Sequence, residues 1–134
     1  MIINIVGLDM PPSVNSLYFV KGGRKILSSK GRTIKNKLKA DILKQIHHCK
    51  IEESPKTLVI KLFFTDIYNK GWPKKAKSRY KKIDASNRAK LLEDALSECL
   101  GIDDCLFFSV TVIKYQSEVE YSYSEIIISD FEEL

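Results

Sequence analysis

Apolar residues at every fourth position are the feature that most constrains the fold of this chain. Ile34, Leu38, Ile42 and Ile46 are spaced so that they share one face of a helix. This pattern predicts an amphipathic helix from Ser29 to Cys49. Its opposite face is rich in lysine.

Apolar segments before and after this helix predict strands, because they are short and rich in β-branched and aromatic residues. The predicted strands are Ile2 to Gly7, Thr57 to Thr65, Leu106 to Tyr115 and Tyr121 to Ser129. Two further segments, Leu17 to Val20 and Lys25 to Leu27, flank a pair of glycines and predict a β-hairpin tipped with basic residues.

A second helix is predicted after a long polar segment, with Ser86 as its N-cap and Gly101 at its C-terminal end. Its apolar positions are Ala89, Leu92, Leu96 and Leu100. The order of elements is then strand, hairpin, helix, strand, helix, strand, strand. This order predicts an α+β domain with a mixed sheet and two main helices, formed as a single domain by residues 1–134.

Composition excludes several classes of protein. The chain is 44% hydrophobic and 29% charged, and it has no apolar run long enough to cross a bilayer, so we expect no membrane function. The first strand begins almost at Met1 without a secretory leader, which predicts a cytoplasmic protein. Three cysteines without CxxC spacing favour neither a disulfide framework nor a zinc site.

Charge is separated along the chain. Seven basic residues and no acidic one lie between residues 70 and 82: Lys70, Lys74, Lys75, Lys77, Arg79, Lys81 and Lys82. From Leu91 onward Lys114 is the only basic residue. Such a distribution can steer a polyanion to one face, although a solvated loop and an acidic tail would give the same pattern.

The basic segment is part of a predicted long, mobile loop from Ile67 to Lys82. Tyr68, Trp72 and Tyr80 interleave with its lysines. Aromatic rings among basic residues can stack on unpaired bases, and they can equally anchor the loop to the domain.

Carboxylates lie at both ends of the second helix, next to this basic segment. Asp84 precedes the helix, and Asp103 and Asp104 follow it. Mg²⁺ prefers oxygen ligands and a phosphodiester needs charge neutralisation, so the grouping suggests metal-assisted cleavage of a nucleic acid. A helix of about fifteen residues extends roughly 22 Å, so these carboxylates can meet only if the loops fold back or a dimer joins two chains.

Lys90 and Asp94 lie four residues apart on one face of the same helix. One interpretation is that Lys90 contacts the scissile phosphate while Asp94 orients it or joins the metal shell. The alternative is an ordinary surface ion pair, which would contribute only a few tenths of a kcal/mol.

Taken together, these motifs resemble the RusA-type Holliday junction resolvases, a family frequent in prophages and phages. The resemblance is carried by Pro11-Pro12-Ser13-Val14-Asn15 with Tyr18, by Ser29-Lys30-Gly31, by Asp84-x-x-Asn87-x-x-Lys90, and by Asp94-Ala95-Leu96 followed by Asp103-Asp104. One position departs from the pattern, because Ser86 stands where the best-known members carry a second aspartate.

The resemblance implies a homodimer that binds four-way DNA junctions in recombination and repair and cuts them with Mg²⁺, or with Mn²⁺. Asp84 and Asp104 would be catalytic metal ligands, Lys90 the catalytic lysine, and Asp94 and Asp103 further candidate ligands. The basic segment, together with Arg88 and Asn15, would bind DNA. Because Ser86 removes a carboxylate, the alternative is a junction-binding protein of the same fold with weak or no catalysis. A third possibility is a domain whose acidic residues only cap helices and whose partner is a protein.

Overall fold

A computed structural model describes residues 1–13, 17–47 and 50–133. Its elements follow the predicted order, and their bounds are β1 (Ile2–Asp9), β2 (Tyr18–Lys21), β3 (Arg24–Leu27), α1 (Ser29–Ile46), β4 (Lys56–Phe64), α2 (Ala85–Leu100), β5 (Phe107–Gln116) and β6 (Tyr123–Asp130). A short 3₁₀ turn, Asp104–Leu106, connects α2 to β5. The fold is therefore α+β, as the sequence predicts.

The four longer strands form one mixed sheet in the order β1-β6-β4-β5. β6 pairs antiparallel with both β1 and β4, whereas β4 and β5 are parallel. Parallel neighbours need a crossover connection, and here the crossover contains α2. The helix therefore begins near the carboxyl ends of β4 and β5 and returns toward the start of β5.

The core lies between the two helices and the sheet. Strand β4 alternates, with Leu58, Ile60 and Leu62 fully buried, and the apolar faces of both helices pack into the same cluster through residues such as Ile42 and Leu92. Each such side chain contributes roughly 1.5–3 kcal/mol when removed from water. In the part of the chain that the structure describes, neither helix combines the length and apolar character needed to span a membrane.

The hairpin β2–β3 is closed by Gly22 and Gly23, whose φ angles of 60° and 77° lie in the left-handed region that this tight turn requires. It packs closely on the start of α1. A Cβ atom at Gly31 would lie only 2.5 Å from the Leu27 side chain, so this approach depends on the glycine. This packing places Tyr18 of β2 next to Asp94 of α2, where the candidate site lies.

The ends of α2 confirm one capping prediction and correct another. Gly101 ends the helix with a φ of 67°, as predicted. Ser86, however, is not the N-cap: the helix begins at Ala85, so Asp84 is the N-cap and its carboxylate accepts the backbone N–H of Asn87 at 3.1 Å. A cap must directly precede the first helical residue and reach the third, and Ser86 already lies inside the first turn.

Candidate active site

Lys90 is the centre of a charged cluster on the outer face of α2. Its ammonium lies 3.3 Å from Asp94 Oδ1 and 3.5 Å from Asp104 Oδ2. The first contact confirms the predicted i, i+4 pair. The second arises because the chain turns back after Gly101, which brings Asp104 alongside the helix rather than beyond its end.

The electrostatics of this cluster keep Lys90 charged. Partial burial alone would lower the pKa of Lys90, but attraction and hydrogen bonding by Asp94, together with Glu93 and Asp104, raise it above the ordinary value. The lysine is therefore an ammonium at neutral pH. Such a group can stabilise negative charge on a phosphate, whereas a general base would need a lowered pKa.

Two members of the cluster, Glu93 and Tyr18, are not among the site residues predicted from the sequence. Glu93 is half-buried, and burial raises its pKa, with a further contribution from Asp94 and Asp104 that Lys90 partly opposes. Its position three residues after Lys90 is a signal that could have identified it. Tyr18 donates from its hydroxyl to Asp94 Oδ2 at 3.4 Å, a contact between distant segments that no local spacing could reveal.

Asp84 and Asp103 each cap a structural element and lie outside this cluster. Asp84 accepts from both the backbone and the side-chain amide of Asn87. It precedes Lys90 by six residues, about 9 Å along the helix axis, and within the described ranges no hydrogen bond or ion pair joins it to Lys90 or Asp104. Asp103 accepts the backbone N–H of Cys105 at 2.9 Å, and this hydrogen bond lowers the pKa of its carboxyl.

The basic segment folds into an arm, residues 67–82, which we call the basic arm. Its two sides run antiparallel: Asn69 N–H donates to Arg79 O at 2.7 Å, and Lys81 N–H donates to Ile67 O at 2.9 Å. The predicted loop is thus a long connection whose two ends are paired by backbone hydrogen bonds. Its predicted mobility stays a prediction.

The arm is anchored to the carboxyl end of β5. Gln116 accepts the N–H of Ile67 at 3.1 Å and donates to Thr65 O at 2.5 Å. Lys114 donates from its ammonium to Ile83 O at 3.3 Å, at the other side of the arm. Because β4 and β5 are parallel, their carboxyl ends lie at one edge of the sheet, and the arm projects from that edge.

Three aromatic rings of the arm surround the guanidinium of Arg79. The centroids of Tyr68, Trp72 and Tyr80 lie 5.6, 6.0 and 5.8 Å from its Cζ atom, a geometry typical of cation–π contacts. Each of these side chains remains about half exposed. The rings therefore organise the arm through Arg79 while about half of each ring stays exposed to solvent.

Comparison with known families matches residues 9–124 to the family described as Endodeoxyribonuclease RusA. This match spans most of the 134 residues and contains the Lys90 cluster and the basic arm. The chain belongs to the RusA endodeoxyribonuclease family. Membership supports, in general, an endonuclease of the Holliday junction resolvase type that binds branched DNA. A comparison with curated proteins found no match.

RusA family membership raises the question of whether these residues suit a divalent cation. The donors at the cluster are carboxylate oxygens, which Mg²⁺ and Mn²⁺ prefer. Asp94 and Asp104 already share one positive charge, the Lys90 ammonium, so the donor chemistry and the field fit a cation. Among the described residues, however, no three His, Cys, Asp or Glu side chains are grouped closely enough to hold a metal ion without rearrangement.

The predicted DNA-binding residues of this RusA family member differ in how freely they face solvent. Exposed lysines of the arm are Lys70, Lys74, Lys75, Lys77 and Lys82. Lys81 is exposed but paired with Asp66 at 3.3 Å. Arg88 turns toward the protein, where it donates to Pro11 O at 3.2 Å and lies 5.6 Å above the Phe64 ring. Asn15 lies outside the described residues.

Proposed function

We propose that this protein is a structure-selective endodeoxyribonuclease that resolves four-way DNA junctions in recombination and repair, in a reaction that requires Mg²⁺ or Mn²⁺. The observation that carries the proposal is the meeting of Lys90 with Asp94 and Asp104, within the residues that match the RusA family. Cationic and anionic groups side by side are what a site needs to hold both a phosphate and its metal.

In this proposal Asp94 and Asp104 would hold the divalent cation, with Asp84 and Asp103 as further candidate ligands. The cation, when bound, supplies Lewis-acid neutralisation of charge at the phosphate. The Lys90 ammonium stabilises negative charge that develops on the phosphoryl oxygens. Tyr18, by donating to Asp94, holds that carboxylate in one orientation.

The exposed lysines of the basic arm grip DNA backbones in this proposal. Contacts of this kind neutralise phosphates and position the junction on the protein, but they do not distinguish one base sequence from another. The arm leaves the sheet at the edge where α2 begins. DNA held by the arm therefore passes the N-terminal half of α2, which carries Lys90.

The test is cleavage of a synthetic four-way junction beside a linear duplex of the same sequence, with Mg²⁺, with Mn²⁺ and with a chelator. We expect paired nicks in the junction alone, lost with the chelator and in Asp104→Asn. Glu98→Gln is the matched control, because Glu98 is an α2 carboxylate that pairs with Lys35 and Lys39 instead. Its activity should equal that of the wild type. Equal cleavage by Asp104→Asn and wild type would contradict the proposed site.

A second candidate is a junction-binding protein that does not cut. It is favoured by the absence of three grouped ligands among the described residues and by the serine at position 86. This candidate would be supported if the wild type and Asp104→Asn bind the junction with equal affinity and neither cuts it with Mg²⁺ or Mn²⁺. Electron paramagnetic resonance measures Mn²⁺ binding directly. It therefore distinguishes a variant that no longer binds metal from one that binds metal but does not cleave.

We also propose that the protein acts as a homodimer, since a four-way junction offers two symmetric strands for paired cuts. Sedimentation velocity, with and without junction DNA, measures whether one or two chains bind. A monomer that makes paired cuts at a single encounter would contradict this part of the proposal.

A further inference from the structure

An open pocket of about 350 Å³ lies at the base of the basic arm, outside the Lys90 cluster. Ile67, Tyr80, Lys81, Ile83 and Lys114 line it. Its volume is in the lower part of the range found for small-molecule sites in proteins. It lies near the carboxyl ends of the parallel strands β4 and β5, the edge from which the basic arm projects.

The lining has two chemically different parts. Ile67, Ile83 and the ring of Tyr80 are apolar surfaces, and the Tyr80 side chain is 50% exposed. Lys81 and Lys114 add two ammonium groups, each held in place: Lys81 by Asp66 at 3.3 Å, and Lys114 by Ile83 O at 3.3 Å. Apolar surface beside two positive charges suits a ligand with a flat, weakly polar part and an anionic part.

A nucleotide has these two parts. Its base can stack on an aromatic ring, and its phosphate is attracted by paired lysines. Basic residues still outnumber acidic ones here: Asp66 pairs with Lys81, but the arm has no acidic residue between residues 70 and 82. A base that is paired within a duplex cannot enter such a pocket, since it must first leave the stack.

We propose that this pocket, the nucleotide pocket, holds one unpaired nucleotide of branched DNA. Its base lies against Ile67, Tyr80 and Ile83, and its phosphate lies between Lys81 and Lys114. The proposal rests on the proposed function for its choice of DNA as the ligand. It adds a site that is separate from the Lys90 cluster and that would recognise the branch point itself, where bases leave the stack at least cost.

The position of the pocket links it to the start of α2. Ile83 lines the pocket and is followed directly by Asp84, the N-cap. A nucleotide in the pocket would therefore lie beside the start of α2, where the carboxylate of Asp84 already caps the helix. A nucleotide held there would fix the register of the strand that continues toward Lys90.

The chain provides its own reporter, because Trp72 is its only tryptophan and lies in the same aromatic cluster as Tyr80. The first measurement is Trp72 emission during titration with single-stranded oligodeoxythymidylate, with a linear duplex, and with an oligonucleotide of equal length made of abasic sites. The second measurement places 2-aminopurine at the branch point of a four-way junction. Both use the full chain.

Four variants complete the design. Tyr80→Ala removes the ring, Tyr80→Phe keeps it, and Lys114→Met removes one charge from β5 outside the arm. Tyr121→Ala removes a comparably exposed tyrosine elsewhere and serves as the matched control. We expect Tyr80→Ala and Lys114→Met to bind single strands about tenfold more weakly than the wild type, with a smaller loss of affinity for duplex. Tyr80→Phe and Tyr121→Ala should bind single strands normally. Circular dichroism checks the fold of each variant.

Two results would overturn the nucleotide pocket: equal single-strand affinity in the wild type, Tyr80→Ala and Lys114→Met, or equal affinity for abasic and thymidylate strands. Junction cleavage identifies which proposal has failed. If the wild type cuts junctions and the pocket variants bind single strands normally, the nucleotide-pocket proposal fails and the proposed nuclease function stands. If single-strand binding depends on Tyr80 but the protein does not cut junctions, the nucleotide-pocket proposal stands and the proposed nuclease function fails.

Discussion

Asp84 has two separable roles in the proposals above, and substitution can divide them. It caps α2 through its hydrogen bond to the backbone of Asn87, and it is a candidate metal ligand. α2 has no acidic residue in its first turn, so no other carboxylate there can replace the interaction with the helix dipole. Asp84→Ala removes both roles, whereas Asp84→Ser keeps a capping oxygen and removes only the carboxylate.

The magnitude of the capping effect follows from the structure. Loss of an N-cap side chain costs about 1 kcal/mol. The unfolding entropy is about 2.1 cal/mol/K per residue, so the 134-residue chain has about 0.28 kcal/mol/K, and the melting temperature should fall by about 3.6 °C. Asp84→Ser should lower it by less than about 2 °C, because Ser is nearly as good a cap as Asp.

Cleavage should respond differently from stability. If the carboxylate helps to hold the metal, both variants lose about 3 kcal/mol of transition-state stabilisation, a rate loss of roughly a hundredfold. The assay pairs thermal unfolding by circular dichroism with single-turnover cleavage of a four-way junction, well below the melting temperature. Glu98→Gln provides the control for removal of a carboxylate from α2.

The capping role and the catalytic role of Asp84 can be refuted independently. Asp84→Ala with the melting temperature of the wild type would refute the capping energy. Cleavage by Asp84→Ser at the wild-type rate would refute the catalytic role and leave Asp84 as a structural residue. A cleavage defect in Asp84→Ala that Asp84→Ser restores would assign the effect to the start of the helix rather than to the metal.

Three other predictions concern charge. Lys90→Met should slow junction cleavage by about 10²–10³-fold while changing stability by less than about 1 kcal/mol, since the ion pairs of Lys90 are half-exposed; single-turnover kinetics and urea unfolding test this. Replacing Lys74, Lys75 and Lys77 by alanine should flatten the salt dependence of DNA affinity by about one unit of slope for each phosphate that is no longer neutralised, measured by fluorescence anisotropy. The hydrogen bond from Lys56 lowers the pKa of Asp130 below its ordinary value of 3.8. Its stabilising effect is therefore present above that value and disappears as the pH falls through the lower folded pKa. Asp130→Asn should flatten the acid side of a stability-versus-pH curve, and an unchanged curve would contradict this.

Local periodicity accounts for most of what the sequence predicts correctly. The four-residue spacing in α1 and the run of β-branched and aromatic residues in β4 locate those elements to within a few residues. Gly101 ends α2 as predicted, since a left-handed terminal residue favours glycine. The Lys90–Asp94 pair follows from helix geometry alone.

Features that depend on long-range packing could not be read in this way. Ser86 and Asp84 are both good N-cap types, so the choice depends on the first residue of the helix, and the long connection after β4 hides that position. The return of Asp104 toward Lys90 depends on the turn after Gly101 and on the placement of β5. Buried Lys56 is another example, because it is acceptable only where Asp130 of a neighbouring strand meets it at 2.7 Å.

The parallel pair β4–β5 explains why both proposed sites are built mainly from one connection of the chain. A parallel connection must cross over, and this chain uses that crossover for both the basic arm and α2. The carboxyl end of β5 then anchors the arm through Lys114 and Gln116, while the amino end of β5 begins just after Asp104. A change in the length of the crossover would move the nucleotide pocket relative to Lys90. If both proposals hold, the length of this crossover sets the spacing between branch-point recognition and strand cleavage.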